Sequence, residues 1–302
     1  MTATITNSKL RCQSGLLMLL VVLGHMNYVN ILECSPYYRG LREGIYMFHM
    51  PLFFVISGST LRLVEQKGVN LKSFVSSRRR KFAIPFLIFS LAFSLYDFLF
   101  SNMSFDFSIL TNILLYPGRN SAGYLWYILT LYLLYVLYAF CADRINRLIV
   151  FAPFTSIVSY YFGGDNLFFY VSFYFMFFHI GWVLYNRPIK VGTLPIIISG
   201  LFFIGLISQM NRMWLFKFFT GMAGIIPFIT LPWEKLEFLR VIGVHSWSIY
   251  LWNVPILFFV NNILKDSLCN WSIIPLNVII CITLIIATKL LYEAAYTKIR
   301  HR

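Results

Sequence analysis

Apolar runs of roughly 17–22 residues, parted by short polar clusters, follow one another along the chain, and each has the length that a helix needs to cross a ~30 Å hydrocarbon layer. They fall near residues 15–33, 44–63, 82–100, 124–141, 148–162, 167–185, 193–209, 215–231, 241–261 and 273–292. A backbone in lipid must satisfy its own hydrogen bonds, so helices are the expected form of these runs. The pattern predicts an all-α, polytopic membrane helix bundle of about ten transmembrane helices. The run at 148–162 is short and carries Pro153. The first run has no small-x-small cleavage pattern after it and is expected to span rather than to be removed.

Composition agrees with this reading. Of 302 residues, 59% are hydrophobic and 12% charged, and mean hydropathy is +0.73; a soluble domain carries roughly twice that charge. The net charge of +14 does not point to nucleic acid, because the cations sit in clusters between apolar runs, where they orient a membrane protein. With the N-terminus in the cytoplasm, every one of the 25 Lys and Arg residues except Arg39, Arg42, Arg119, Arg212, Lys217 and Lys265 falls on the inner side. Both termini are therefore expected to be cytoplasmic, in a multi-pass protein of a bacterial inner (plasma) membrane. The stretch 101–123, with an apolar middle, is expected to lie along the outer surface. Internal repeats and long linkers are absent from the sequence, so residues 1–302 read as a single domain. Cys12, Cys34, Cys141, Cys269 and Cys281 have no metal-ligand spacing.

Ionisable groups inside spans are costly, and each is a candidate for function. His25 lies near the middle of the first run and His49 in the outer half of the second, within about two helical turns of one another in depth. Imidazole is suited to move a proton near neutral pH; taken alone, either histidine also reads as an interhelical contact. Pro51 frees a carbonyl beside His49 and bends its helix. His179 reads as an interhelical contact, and His245 and His301 as solvated. The cluster Arg78, Arg79, Arg80 and Lys81 is either a topology anchor or a clamp for the phosphates of a nucleotide-like ligand. Trp126 and Tyr127 fit an interfacial aromatic belt, while Asn253, followed by Pro255 in an apolar run, suggests a polar lining position.

These stretches together resemble the acyltransferase 3 family of integral-membrane O-acyltransferases, in its sugar and polysaccharide O-acetyltransferase-like branch. The resemblance is densest at residues 20–25, in "FHMPLFFVISG" at 48–58, "RRRKFAIPF" at 78–86, "LWYI" at 125–128 and "SIYLWNVPI" at 248–256. It implies acetyl-CoA as acyl-donor substrate, presented from the cytoplasm, with no metal or prosthetic group. The acceptor it implies is a hydroxyl of a cell-surface glycan or lipid-linked saccharide. It further implies that His25 and His49 are catalytic, His25 as general base or acyl carrier; that Arg78, Arg80 and Lys81 bind the CoA phosphates; and that Pro51, Ser57, Trp126 and Asn253 line the substrate cavity. Two positions depart from the family pattern. Ser14 stands where a cation is usual, with Arg11 one turn earlier as its possible substitute, and Asn253 stands where a histidine is frequent. Asparagine can orient a group but cannot shuttle a proton. The sequence also fits two rival readings, a transporter or flippase with intramembrane histidines and an inactive relative of the acyltransferases. The sequence leaves the oligomeric state open.

Overall fold

A computed structural model describes residues 2–3, 7–26, 36–100, 108–119, 122–185, 189–190, 214–263 and 273–300. Its helices are α1 (Asn7–His25), α2 (Pro36–Gln66), α3 (Leu71–Phe100), α4 (Ser108–Leu115), α5 (Trp126–Cys141), α6 (Ile145–Gly163), α7 (Leu167–Leu184), α8 (Trp214–Thr230), α9 (Glu237–Val244), α10 (Ser246–Ile263) and α11 (Ile273–Arg300). Thr2–Ala3 pairs antiparallel with Ile189–Lys190. The expected run at 193–209 and His301 lie outside the described residues. The chain divides into two compact units, Met1–Phe53 with Asn186–Arg302, and Phe54–Tyr185.

By length and composition, Tyr37–Gln66, Gly123–Cys141 and Leu167–Leu184 are each able to cross a membrane, among the described residues. Glu237–Val244 and Ser246–Phe259 meet the requirement only together, across a bend of 77°, and Lys217–Thr230 and Asn277–Leu291 are shorter apolar helices. The protein is a helical integral membrane protein. The apolar run at 241–261 is thus not one straight span: its first turn belongs to α9, which breaks from α10 at His245.

Local sequence sets the turns. Between α2 and α3, Gly68 takes φ +73°, and Asn70 caps α3 by accepting from Lys72 N and Ser73 N. Between α6 and α7, Asn166 caps α7 by accepting from Phe169 N and donates to the Ser159 carbonyl. Side-chain oxygens of this kind satisfy the orphan amides of a helix start. Pro51 sits inside the uninterrupted α2.

Among the described residues, both units contain a helix crossing at backbone distance. In the first, a Cβ placed on Gly15 of α1 would lie 1.9 Å from the Leu239 carbonyl oxygen of α9, and one on Gly243 would lie 1.8 Å from the Arg11 oxygen. In the second, Gly58 of α2 and Gly181 of α7 face the Phe178 and Val55 oxygens at 1.9 and 1.8 Å in the same sense. Close approach through small residues is the packing that serves helices in lipid, where apolar side chains gain little by leaving the hydrocarbon. Ser59 donates to the Gly181 carbonyl beside the second crossing.

Candidate active site

In the first unit, α1 carries His25 near the end of its described residues. Its Nδ1 lies 2.6 Å from Asn253 Oδ1 of α10. The Asn253 amide nitrogen is already committed, donating to the Ile249 and Tyr250 carbonyls at 3.0 and 2.6 Å. Its oxygen therefore faces the imidazole, which must donate from Nδ1 and carry its lone pair on Nε2. Asn253 is fully buried. Its backbone carbonyl also accepts from the Cys281 thiol of α11.

His49 is assigned the same tautomer by a different partner. Its Nδ1 lies 2.7 Å from the Ile45 carbonyl, an acceptor only, so Nδ1 donates and Nε2 holds the lone pair. Tyr46 links the two histidines: its ring centroid is 5.2 Å from that of His49, and its hydroxyl donates to the Gly24 carbonyl at 2.9 Å. Gly24 has no Cβ because one would meet the Tyr46 ring at 2.9 Å.

Two carbonyls beside His25 on α1 are held by one stripe of α2. Tyr38 donates to Leu23 O at 2.5 Å, and Arg42 donates to Gly24 O at 3.3 Å with its guanidinium 4.7 Å from the Tyr46 ring centroid. Tyr38, Arg42, Tyr46 and His49 follow at steps of four, four and three residues, one face of a helix. In the sequence, Arg42 stands out only as an outer charge, and Tyr38 and Tyr46 do not stand out at all. Their spacing was the available signal.

Arg11 and Ser14 lie at the other end of α1, Arg11 exposed and Ser14 half-buried; Ser14 is ~16 Å from His25 along the axis at 1.5 Å per residue. Near them Gln13 donates to the Phe228 carbonyl at 2.9 Å, which anchors this end of α1 to α8. His245 at the α9–α10 break is half-buried, 3.4 Å from Lys289 Nζ.

In the second unit, Ser57 hydrogen-bonds Tyr127 at 2.9 Å. Trp126 stacks on Tyr170 with centroids 4.5 Å apart. Arg78 is half-buried, its guanidinium 4.7 Å from the Phe74 ring centroid, whereas Arg80 and Lys81 are exposed. At about 100° per residue, Lys81 shares a side of α3 with Arg78, and Arg80 points nearly opposite. His179 Nδ1 and the Tyr138 hydroxyl are hydrogen-bonded at 2.8 Å, the interhelical contact expected of His179.

Of the expected site residues, His25 and Asn253 are in direct contact and His49 joins them through Tyr46. Such a pair, an imidazole with one nitrogen anchored and the other basic, is the arrangement of a positioned general base. A profile of the acyltransferase domain family matches residues 15–293. The chain belongs to the acyltransferase 3 family. It is also similar to "Nodulation protein NolL" of Mesorhizobium japonicum, 25% identical over 246 residues, which make up 77% of this chain and 58% of that protein. The chain thus spans little more than half the length of that relative. No solved structure matches it. The matched region contains His25, His49 and Asn253.

Proposed function

We propose that this protein is an acyltransferase, specifically an O-acetyltransferase that moves the acetyl group of acetyl-CoA to a hydroxyl of a cell-surface glycan or lipid-linked saccharide. The observation that carries the reading is the His25–Asn253 pair, which leaves Nε2 as the basic nitrogen. In the proposed step Nε2 takes the proton of the acceptor hydroxyl as its oxygen attacks the thioester carbonyl. The C–S bond then breaks, and the CoA sulfur leaves with that proton, so the imidazole is neutral again. Family membership supports acyl transfer. The lack of a proton on the Asn253 oxygen suits an orienting role rather than a relay.

His49 serves as the second catalytic imidazole. Arg11, Ser14, Arg78, Arg80 and Lys81 are the candidates for the donor phosphates, and Pro51, Ser57 and Trp126 for the cavity lining. The ten apolar runs and the basic clusters between them support about ten spans with both termini cytoplasmic, in a bacterial inner membrane. The deciding experiment supplies purified protein with acetyl-CoA and a saccharide acceptor and follows thiol release together with acetyl-sugar formation. Wild type is expected to form both products, and His25→Ala to lose about 10²–10⁴-fold in rate while remaining inserted and folded. Full activity in that variant rules His25 out as the base.

A further inference from the structure

Buried polar atoms are nearly always paired, and an exception asks for an explanation. Among the described residues, the buried side-chain atoms without a hydrogen-bond partner are Ser90 Oγ, Asp165 Oδ1, Thr220 Oγ1, and both Nδ2 and Oδ1 of Asn277. A helical serine or threonine hydroxyl satisfies itself by a small rotation onto a carbonyl of the preceding turn. Asp165 has a second oxygen. Asn277 differs: it is 1% exposed, and both halves of its amide are unsatisfied. Asn253, by contrast, turns its amide nitrogen onto its own helix.

The position of Asn277 follows from three contacts within the first unit. Lys289 approaches His245 and Cys281 approaches Asn253, so numbers fall along α11 as they rise along α10, and the two helices are antiparallel. Asn277 is four residues before Cys281, on the same face of α11. It therefore stands about one turn past Asn253, level with the buried Leu257. The α1 helix runs the same way as α10, from Gly15 beside Leu239 and Gly243 to His25 beside Asn253. Asn277 is thus beyond His25 on the side away from Arg11 and Ser14.

We propose that Asn277 is an acceptor-binding residue, its amide pairing with neighbouring hydroxyls of the saccharide. A carboxamide offers a donor and an acceptor edge together. Adjacent sugar hydroxyls present the complementary pair, which explains why both halves are unpartnered in the free protein. Arg11 and Ser14, two of the candidates for the donor phosphates, lie at the opposite end of α1, so we assign this side of His25 to the acceptor. The proposal rests on the acetyl-transfer reading above.

The test compares wild type with Asn277→Leu, using octyl β-glucoside and octyl β-galactoside as acceptor probes. Replacing an unpartnered buried amide by an apolar side chain of similar size should not lower the thermal unfolding midpoint. The KM for the pyranosides should rise about tenfold, the loss expected of one or two hydrogen bonds, while the KM for acetyl-CoA stays within twofold. Unchanged pyranoside KM overturns the proposal, and so does a rise confined to acetyl-CoA. If wild type neither hydrolyses acetyl-CoA nor acetylates a pyranoside, the transfer reading fails by itself. Calorimetric binding of octyl β-glucoside then decides Asn277: weaker binding to Asn277→Leu upholds its role, and equal binding removes it.

Discussion

A carboxamide can hold an imidazole in one tautomer without taking part in proton traffic, and Asn253 is built for that. Its nitrogen is occupied by the Ile249 and Tyr250 carbonyls and its oxygen by His25 Nδ1. Asn253→Leu keeps the volume and removes the anchor. Its kcat should fall by about 10–100-fold, the cost of a catalytic group displaced by an ångström or so, with the KM for acetyl-CoA nearly unchanged. A parallel rise in that KM, or a loss of folded protein, would reassign Asn253 to packing. The single residues of the site were readable to different degrees. His25, His49 and Asn253 stood out because a polar group in an apolar run is expensive. The His25–Asn253 bond joins residues 228 positions apart, and no local pattern encodes such a pairing. Tyr38 and Tyr46 were hidden by the abundance of tyrosine at membrane interfaces, which makes any one of them unremarked.

Among elements, the two glycine crossings decide how α1 meets α9 and how α2 meets α7. An added methyl at Gly15, Gly243, Gly58 or Gly181 would press on carbonyl oxygen at 1.8–1.9 Å, and backbone cannot rotate aside as a side chain does. Each Gly→Ala change should cost at least about 1–3 kcal/mol, the usual penalty of overpacking, seen as a lower unfolding midpoint in detergent. Gly68→Asn provides the contrast: that glycine has φ +73° and open space around it, and asparagine tolerates the left-handed region, so the midpoint should hardly move. Nearly every expected span that falls on described residues coincides with a helix, since length and hydropathy encode that much. The break at His245 was not legible, because no proline or glycine pair interrupts the apolar run there. The neighbour α1, packed through Gly15 on Gly243, is what distinguishes α9 from the start of α10.

For the whole molecule, the charge asymmetry between loops makes a prediction independent of any helix boundary. A fluorescent protein fused after Arg302 should fold and fluoresce in bacterial cells, and alkaline phosphatase at the same point should stay inactive, as a cytoplasmic C-terminus requires. Active phosphatase there would invert the topology and move the Arg78–Lys81 cluster to the outer face. The family match from residue 15 to 293 runs through both compact units, so the acyltransferase domain is assembled from discontinuous sequence: one unit takes both ends of the chain and the other its middle.

The bend between α9 and α10 has a consequence for biogenesis. The insertion machinery reads hydropathy over a window, and residues 237–259 qualify only as one stretch. The segment would therefore be delivered to the bilayer whole, and its 77° fold acquired afterwards. Because α1 is synthesised some two hundred residues earlier, it is already in place as the surface on which α9 turns. Assembly of the His25–Asn253 contact then becomes a late, post-insertion event, and newly made chains should be membrane-integrated before α9 has turned onto α1.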